Sequence, residues 1–540
     1  MEARAQSEPG PELVKRGTRL SEEARVWVGF GAMCFGMFMA ILDIQVVASS
    51  LTNIQNALHV KADQLSWIQT GYLMAEVVAI PLTGWLTHAL SLRWMFSAAT
   101  FGFTLASLAC ASVGSIEPLI AIRVLQGFCG GMLIPSVFTS IFAMVPIKHR
   151  VLATTIAGTL AVLAPTVGPA VGGYLTETFS WHWIFLVNVI PGIIVSALVI
   201  GFVSLGRPDL RALRRIDHAS IVLGALFLGT LELLLKEAPK RDWHGTFVFT
   251  VGGICAGSAL LALWRCLRAQ FPFVHLRLFR QRSFALGSSL SFIFGMGLYG
   301  SVYLISIFLG AVRGHSPLEI GEIMIVSGAA QLLTAPLAAV IEPRIDPRLL
   351  TAVAFGLFGA GLLTNGFENI NTDFEGLFLP QVLRGVAVML CILPATRLAL
   401  AGCPEDEVAD ASAIFNLMRN LGGAIGIALI DTVLEQRTEG HFWNLVHRLQ
   451  AGDPSAARAV GLPVRFFHNR PMGPVDPIMR EMVEPLIRKA ALVLSFNDAW
   501  LVIGGLFALS LLALPFIDHV PIGEPTFELL ARQPQKTATD

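Results

Sequence analysis

Nine stretches of this chain contain no Asp, Glu, Lys or Arg: residues 94–116, 124–147, 151–176, 178–206, 243–264, 283–312, 323–341, 349–367 and 499–517. At about 1.5 Å per helical residue, each can cross roughly 30 Å of hydrocarbon. So many runs of that length define a polytopic membrane protein. Lipid-facing backbone must satisfy its own hydrogen bonds, and the runs lack strand-like alternation, so helices are the solution and the fold class is all-α. Other classes fall away on composition. With 38 Lys plus Arg against 38 Asp plus Glu, the chain lacks the basic face that nucleic-acid binding requires. At 54% hydrophobic and 14% charged it is far too apolar for a disordered linker.

Adding runs broken by single charges gives fourteen spans: 26–48, 66–88, 95–114, 117–145, 152–175, 184–204, 219–236, 246–264, 285–310, 318–341, 349–367, 376–400, 410–433 and 499–517. With the amino terminus inside, the inward segments hold 21 Lys and Arg, against Lys61, Lys236, Lys240, Arg241 and Arg313 in the short outward loops. Basic residues stay cytoplasmic, so both termini are expected inside and residues 434–498 outside. Residues 1–25 and 518–540 are expected to be cytoplasmic tails, the first not a cleaved signal because a full span follows it. None of the seven cysteines lies in the outer segment, and no disulfide is expected.

A weak internal repeat gives the architecture. The fourth span reads LIAIRVLQGFCGGML around Arg123, and the twelfth reads LPQVLRGVAVML around Arg384. Each places an arginine about one turn in from the outer side, followed by small residues and a Met-Leu pair. This fits a six-helix bundle over 26–204, a linker at 205–284 carrying two extra helices, and a second six-helix bundle over 285–517 that includes the outer segment. Transporter folds are commonly built from such repeats around a midplane site.

A charge at a helix centre costs roughly 2.5–3.5 kcal/mol on insertion scales, so each one within a span needs a reason. The candidates are Asp43, Glu76, Arg123, Glu232, Glu322, Arg384, Arg419 and Asp431. Glu76 is mid-span among apolar neighbours, where hydrocarbon disfavours the charged form and readies a carboxyl to exchange a proton. The competing reading pairs it with an arginine or sets it in a wet cavity. Asp43, toward the outer end of the first span, fits a structural pairing or a proton relay equally. Arg123 cannot lose its charge and must pair, hydrogen-bond or face water. Glu232 and Glu322 sit near span ends and read as interfacial, and His182, between Trp181 and Trp183, reads as part of an aromatic belt.

The fifth span carries the most specific run, GTLAVLAPTVGPAVGGY, from Gly158 to Tyr174. Ala164, Gly168 and Gly172 form a smooth ridge that another helix can approach closely. Pro165 and Pro169 remove amide donors and bend the helix, which favours a hinge or gate over packing alone. The thirteenth span repeats part of this in FNLMRNLGGAIGIAL, with Asn416 and Arg419 ahead of the glycines. No metal-ligand spacing, phosphate-binding glycine loop or nucleophile elbow occurs, so no metal, cofactor, bound ATP or enzymatic activity is expected.

Together these residues resemble the major facilitator superfamily, in its fourteen-helix drug:proton antiporter branch (EmrB/QacA type). The resemblance rests on Leu42-Asp43 with Val46-Val47, Ile122 to Gly127, Gly168-Pro169 with Gly172-Gly173, Trp181 and Trp183 to Phe185 with Asn188 and Pro191, and Arg419 to Gly423. It implies alternating access between two six-helix bundles, with proton entry driving solute out. It further implies an antiporter signature on Gly158, Gly168, Pro169, Gly172 and Gly173, a proton-linked arginine at Arg123 and a first-helix acid at Asp43. Arg384, Asn416 and Arg419 count as candidates for the cavity or gate. Two departures stand out. The family's Gly-x-x-x-Asp-Arg-x-Gly-Arg loop here begins at Gly84, has His88 in place of the acid and reaches Arg93, and Gln45 stands where the family often has Thr. The implied exporter takes hydrophobic or amphipathic compounds at the bacterial inner membrane, and its long outer segment suits a periplasmic adaptor and outer-membrane channel. The competing readings are a transporter of one metabolite or lipid, a membrane enzyme and a non-transporting scaffold.

Overall fold

In the computed structural model the described residues are 21–60, 62–204, 208, 217–241, 243–268, 275–403, 407–464 and 477–518. Most of both expected tails, parts of the 205–284 linker and the middle of the outer segment lie outside them. Fourteen long helices follow one another: α1 Glu22–Ser49, α2 Ala62–Leu90, α3 Leu92–Cys110, α4 Ile116–Met144, α5 Arg150–Thr178, α6 Val189–Phe202, α7 His218–Glu237, α8 Thr246–Arg268, α9 Arg282–Phe308, α10 Pro317–Ile341, α11 Pro347–Asn365, α12 Phe374–Leu400, α13 Val408–Gln450 and α14 Pro477–Ser510. Capping fixes several starts. The Ser21 hydroxyl accepts from Ala24 N, and Ser316 with Glu319 closes a reciprocal capping box at α10.

Among the described residues eleven helical segments are long and apolar enough to cross a membrane, and α5 makes twelve if its bent halves count as one span. The remaining two, α2 and α3, have spanning length at 29 and 19 residues. They are more polar, α2 carrying Gln69, Thr70, Glu76 and Thr83, and α3 Arg93 with Ser97, Thr100, Thr104 and Ser107. Fourteen helices therefore agree with the expected number, while apolarity alone picks out fewer.

One large apolar cluster is built on α1–α6 around Phe30, Phe96 and Phe103, and another on α9–α14 around Phe294, Phe358 and Phe507. The two halves meet where α5 packs on α10 and α12, and where α13 packs on α2 and α4. The inserted helix α7 lies against α2 and α13, and α8 packs on α7 with Phe249 and Leu260 facing outward.

α13 and α14 continue well past their apolar parts. At 43 residues α13 is about 65 Å long, roughly twice the hydrocarbon thickness. Its far end pairs with α14 and the short helix Pro454–Val460 around Phe442, Leu445, Leu449, Ala457, Ile487 and Ala490. Much of the expected outer loop is thus a helical hairpin with its own small core, because its apolar residues keep a helical spacing within a polar sequence.

α2 and α3 are separated only by Ser91, at φ 68° and ψ 153°. That region is essentially reserved for glycine and costs other residues about 1–3 kcal/mol. Counting along the family loop pattern from Gly84 puts its glycine at Ser91, so this chain keeps the bend without the residue that makes it easy. Ser91→Gly is expected to stabilise the detergent-solubilised protein by about 1 kcal/mol after the entropy of the added glycine is subtracted, read out as a higher thermal midpoint. An unchanged or lower midpoint would show the bend to be unstrained.

Candidate functional site: a buried charge pair and a lone carboxyl

Asp43 and Arg123 are buried and form an ion pair through Arg123 Nη1 and Asp43 Oδ2. A network satisfies most of what the pair leaves open. Asn188 Nδ2 donates to Asp43 Oδ1 at 2.7 Å, and Gln126 Nε2 donates to the same oxygen at 3.2 Å. Arg123 Nη1 also donates to Gln126 Oε1 at 2.9 Å, and Arg123 Nε to the Ile68 carbonyl at 3.3 Å. Gln126 Nε2 reaches Ser107 Oγ at 2.8 Å, and the guanidinium lies 4.2 Å from the centre of the Tyr72 ring. Five segments of the first half therefore converge on one ion pair and its hydrogen bonds: α1, α2, α3, α4 and the turn before α6. Asp43 does not reach water as its place near a span end allowed, since it is 1% exposed. Arg123 Nη2 is buried without a hydrogen-bond partner among the described residues.

Glu76 lies midway along α2, 5% exposed, and its Oε2 has no hydrogen-bond partner among the described residues. It feels the charges of Arg123 and of Glu232 on α7. Glu232, read from the sequence as interfacial, is half-buried on the inserted helix, which packs against α2. Glu322 is exposed and Asp431 accepts from Tyr303 Oη at 2.5 Å. The His182 ring stacks on Trp181 with centroids 3.9 Å apart.

The glycine-proline run lies where α5 passes between the halves. α5 bends by 47° between Leu152–Pro165 and Val167–Thr178, and Pro165 and Pro169 supply the cause. Pro165, Gly168, Pro169, Gly172 and Gly173 are all buried. Gly168 and Gly172 face α1: a methyl at Gly168 would sit 2.4 Å from Gln45 Cβ, and one at Gly172 would sit 2.7 Å from the Val46 carbonyl. Gly158 faces Met389 and Ile392 of α12 at ordinary contact distance. Gln331 Nε2 on α10 donates to the Thr159 carbonyl across the seam at 3.2 Å.

The second-half candidates lie elsewhere. Arg419 Nη2 donates to Asn416 Oδ1 at 2.5 Å on buried α13. Arg384 Nη2 donates to Gln381 Oε1 at 3.2 Å near the hairpin end of α12. At the opposite end, Gly84 faces Asp410 Oδ1, which is 3.5 Å from where its Cβ would be. Asp410 Oδ2 also pairs with His275 Nδ1 at 2.7 Å, and that hydrogen bond holds the imidazole above its usual range. The Arg93 guanidinium rests 5.4 Å from the centre of the Trp94 ring, and the side chain of His88 lies outside the described residues.

Sequence reading gave no role to Gln126, Asn188, Ser107 or Tyr72. Gln126 carried a usable signal, one helical turn after Arg123 and on its face. Asn188 stood among the residues of the family resemblance without a role and Ser107 carried no signal, because only the fold brings them to Asp43 and its network.

Two helical bundles that meet along bent, glycine-bearing helices, with ionisable groups buried beside the seam, define a membrane carrier. The Major Facilitator Superfamily profile matches residues 33–427. The colistin resistance protein EmrB of Acinetobacter baumannii is 39% identical over 416 residues, covering 77% of this chain and 81% of that protein. The multidrug export protein EmrB of Escherichia coli K12 is 27% identical over 496 residues, 91% of this chain and 95% of that one. Among solved structures, the human organic anion transporter MFSD10 aligns over 92% of this chain and 100% of its own with a TM-score of 0.58 at 13% identity, a likeness of fold. The chain belongs to the major facilitator superfamily, on the branch of its EmrB relatives, and is an integral membrane transporter.

Proposed function

We propose that this protein exports hydrophobic or amphipathic compounds in exchange for protons, by alternating access of a site between α1–α6 and α9–α14. The observation that carries the reading is Glu76, a buried carboxyl with an unpartnered oxygen on a helix of the seam between the halves. In that position a proton changes the charge of the seam itself, and the cost of keeping a carboxylate there is relieved each time it is protonated. The Asp43–Arg123 network, in which the carboxylate is paired and hydrogen-bonded on both oxygens, holds the first half in register and sets the field at Glu76. Relatives that carry the names of export and resistance proteins support the direction of transport and the breadth of substrate.

The reading includes the bacterial inner membrane with both termini cytoplasmic, and bundles spanning 26–204 and 285–517. The hairpin of α13 and α14 then projects into the periplasm. Met482, Trp443 and Leu486 lie exposed on it, an apolar surface suited to a periplasmic adaptor that leads to an outer-membrane channel.

In proteoliposomes with an imposed pH gradient, a panel of lipophilic cations, acids and dyes is expected to yield at least one compound moved against the proton flux. Glu76→Gln is expected to bind that compound but lose gradient-driven accumulation by at least tenfold. Normal accumulation by Glu76→Gln would move the coupling role to another carboxyl, and no gradient-driven movement of any compound would end the antiport reading.

A further inference from the structure

A group of buried polar side chains collects in the second half of the molecule. Among the described residues both amide atoms of Asn365 and Nε and Nη1 of Arg384 have no hydrogen-bond partner, and the Trp500 indole donates to the Glu368 carboxyl. All four side chains are buried, at 1%, 7%, 3% and 0% exposure. They come from different elements: the last turn of α11, the connection from α11 to α12, α12, and α14. Contacts hold them together. The backbone of Glu368 is clamped by Asn497, whose Oδ1 accepts from Glu368 N at 3.1 Å and whose Nδ2 donates to the Glu368 carbonyl at 2.9 Å. The Glu368 carboxyl feels the Trp500 indole and the Arg384 charge, and the guanidinium lies 5.9 Å from the Trp500 ring centre. Gly361, one turn before Asn365, would place a methyl 2.8 Å from Arg384 Cγ, so the arginine is pressed against α11.

Buried polar atoms are ordinarily paired, and an orphan loses its hydration without compensation. Four such atoms beside a buried carboxyl and its indole donor make a polar cluster rather than a packing accident. From this cluster we infer a second proton-binding site in the half opposite Glu76: Glu368 is the carboxyl that takes the proton, Arg384 balances it when it is ionised, Trp500 donates to it, and Asn365 is the polar neighbour. Burial pushes the Glu368 carboxyl up to about 8, with Trp500 and Arg384 pulling the other way. The other charged groups near it are committed. Asp373 holds Arg313 at 2.7 Å and His315 at 3.0 Å, and Asp498 on α14 holds Arg437 at 2.7 Å and His441 at 2.8 Å. Ile370, two residues along from Glu368, packs against the core of the helical hairpin. The site therefore lies at the hairpin end, where an exporter of this kind would meet incoming protons, and a change of charge there bears on the hairpin. The inference deepens the antiport reading, but its test does not depend on transport.

Trp500 is the built-in reporter. The fluorescence difference between the parent protein and Trp500→Phe, titrated in lipid nanodiscs from pH 6 to 9.5, is expected to show one transition near pH 8. Glu368→Gln is expected to abolish it, Glu368→Asp to keep it with a shifted midpoint, and Glu76→Gln to leave it in place. A pH jump from 9.5 to 6.5 in weak buffer is expected to draw one proton fewer into Glu368→Gln than into the parent. Absence of the transition from the parent, or its persistence in Glu368→Gln, would overturn the site. Should Glu368→Gln not fold, a parent transition unmoved in Glu368→Asp would do the same. A transition that behaves as expected in a protein that shows no gradient-driven transport would leave this site standing and remove the antiport reading. Gradient-driven transport without the transition would do the reverse.

Discussion

Arg123→Ala is expected to abolish proton-driven efflux and to destabilise the protein by about 3–5 kcal/mol, the range seen when one partner of a buried ion pair is removed. The size of the effect follows from the connections of one side chain. Arg123 meets Asp43, Gln126, the Ile68 carbonyl and the face of Tyr72 from a position with no exposure. Its removal leaves Asp43 with only the amide donors of Asn188 and Gln126. Arg123→Lys is expected to recover little, because a single ammonium cannot reproduce a planar fork that donates through Nη1 and Nε at once. The informative companion is the neutral pair Asp43→Asn with Arg123→Gln. It removes both charges together and is expected to regain much of the stability, since replacing both members of a buried pair is far milder than removing one. It is not expected to regain transport. Thermal unfolding in detergent and uptake into proteoliposomes separate the two effects, and full transport by the neutral pair would reduce Asp43–Arg123 to a packing device.

The difference between Glu76 and Asp43 shows how far the sequence carries. Both are single acids in apolar runs, and helix length, charge-free runs and the cost of a buried charge made both legible as exceptions. The fourteen helices followed from the same arithmetic. What that arithmetic does not contain is who stands opposite. Asp43 is matched to an arginine 80 positions away and an asparagine 145 positions away, and Glu76 is left with an open oxygen. Partner choice depends on helix rotation and crossing, which a run of apolar residues does not encode. Glu368 shows the opposite limit. It lies just after a charge-free run, where an acid ordinarily reaches water, so nothing local marks it as buried. The clamp by Asn497 and the hydrogen bond from the Trp500 indole hold it away from solvent. The outer hairpin was hidden in a similar way, since the rules that find spans stop at the first dense charges, whereas a helix does not.

Gly321→Leu is expected to cost at least tenfold in transport while leaving the protein folded, because the clash it makes lies between the halves rather than inside one. A methyl at Gly321 on α10 would stand 2.4 Å from both Cα and N of Ala170 on α5. Both are backbone atoms, so no rotamer change relieves the contact and one helix must move. Within a well-packed core such overpacking costs about 1–3 kcal/mol. At a seam between two independently packed clusters the strain is relieved by parting them. The variant should then be trapped with its hairpin end ajar, and a cysteine placed at Ala170 should react with a membrane-impermeant maleimide faster than in the parent background. Two other glycines set the scale. At Gly172 the obstruction is the Val46 carbonyl and the Ser49 hydroxyl of α1, inside the first half, so Gly172→Ala is expected to lower stability without raising labelling at Ala170. Gly158 has nothing nearer than Met389 Cε at 3.8 Å, and Gly158→Ala should be close to silent in both assays. If Gly321→Leu transports normally, or if Gly158→Ala is as harmful as the other two, the contact between α5 and α10 is not the surface on which the halves open and close.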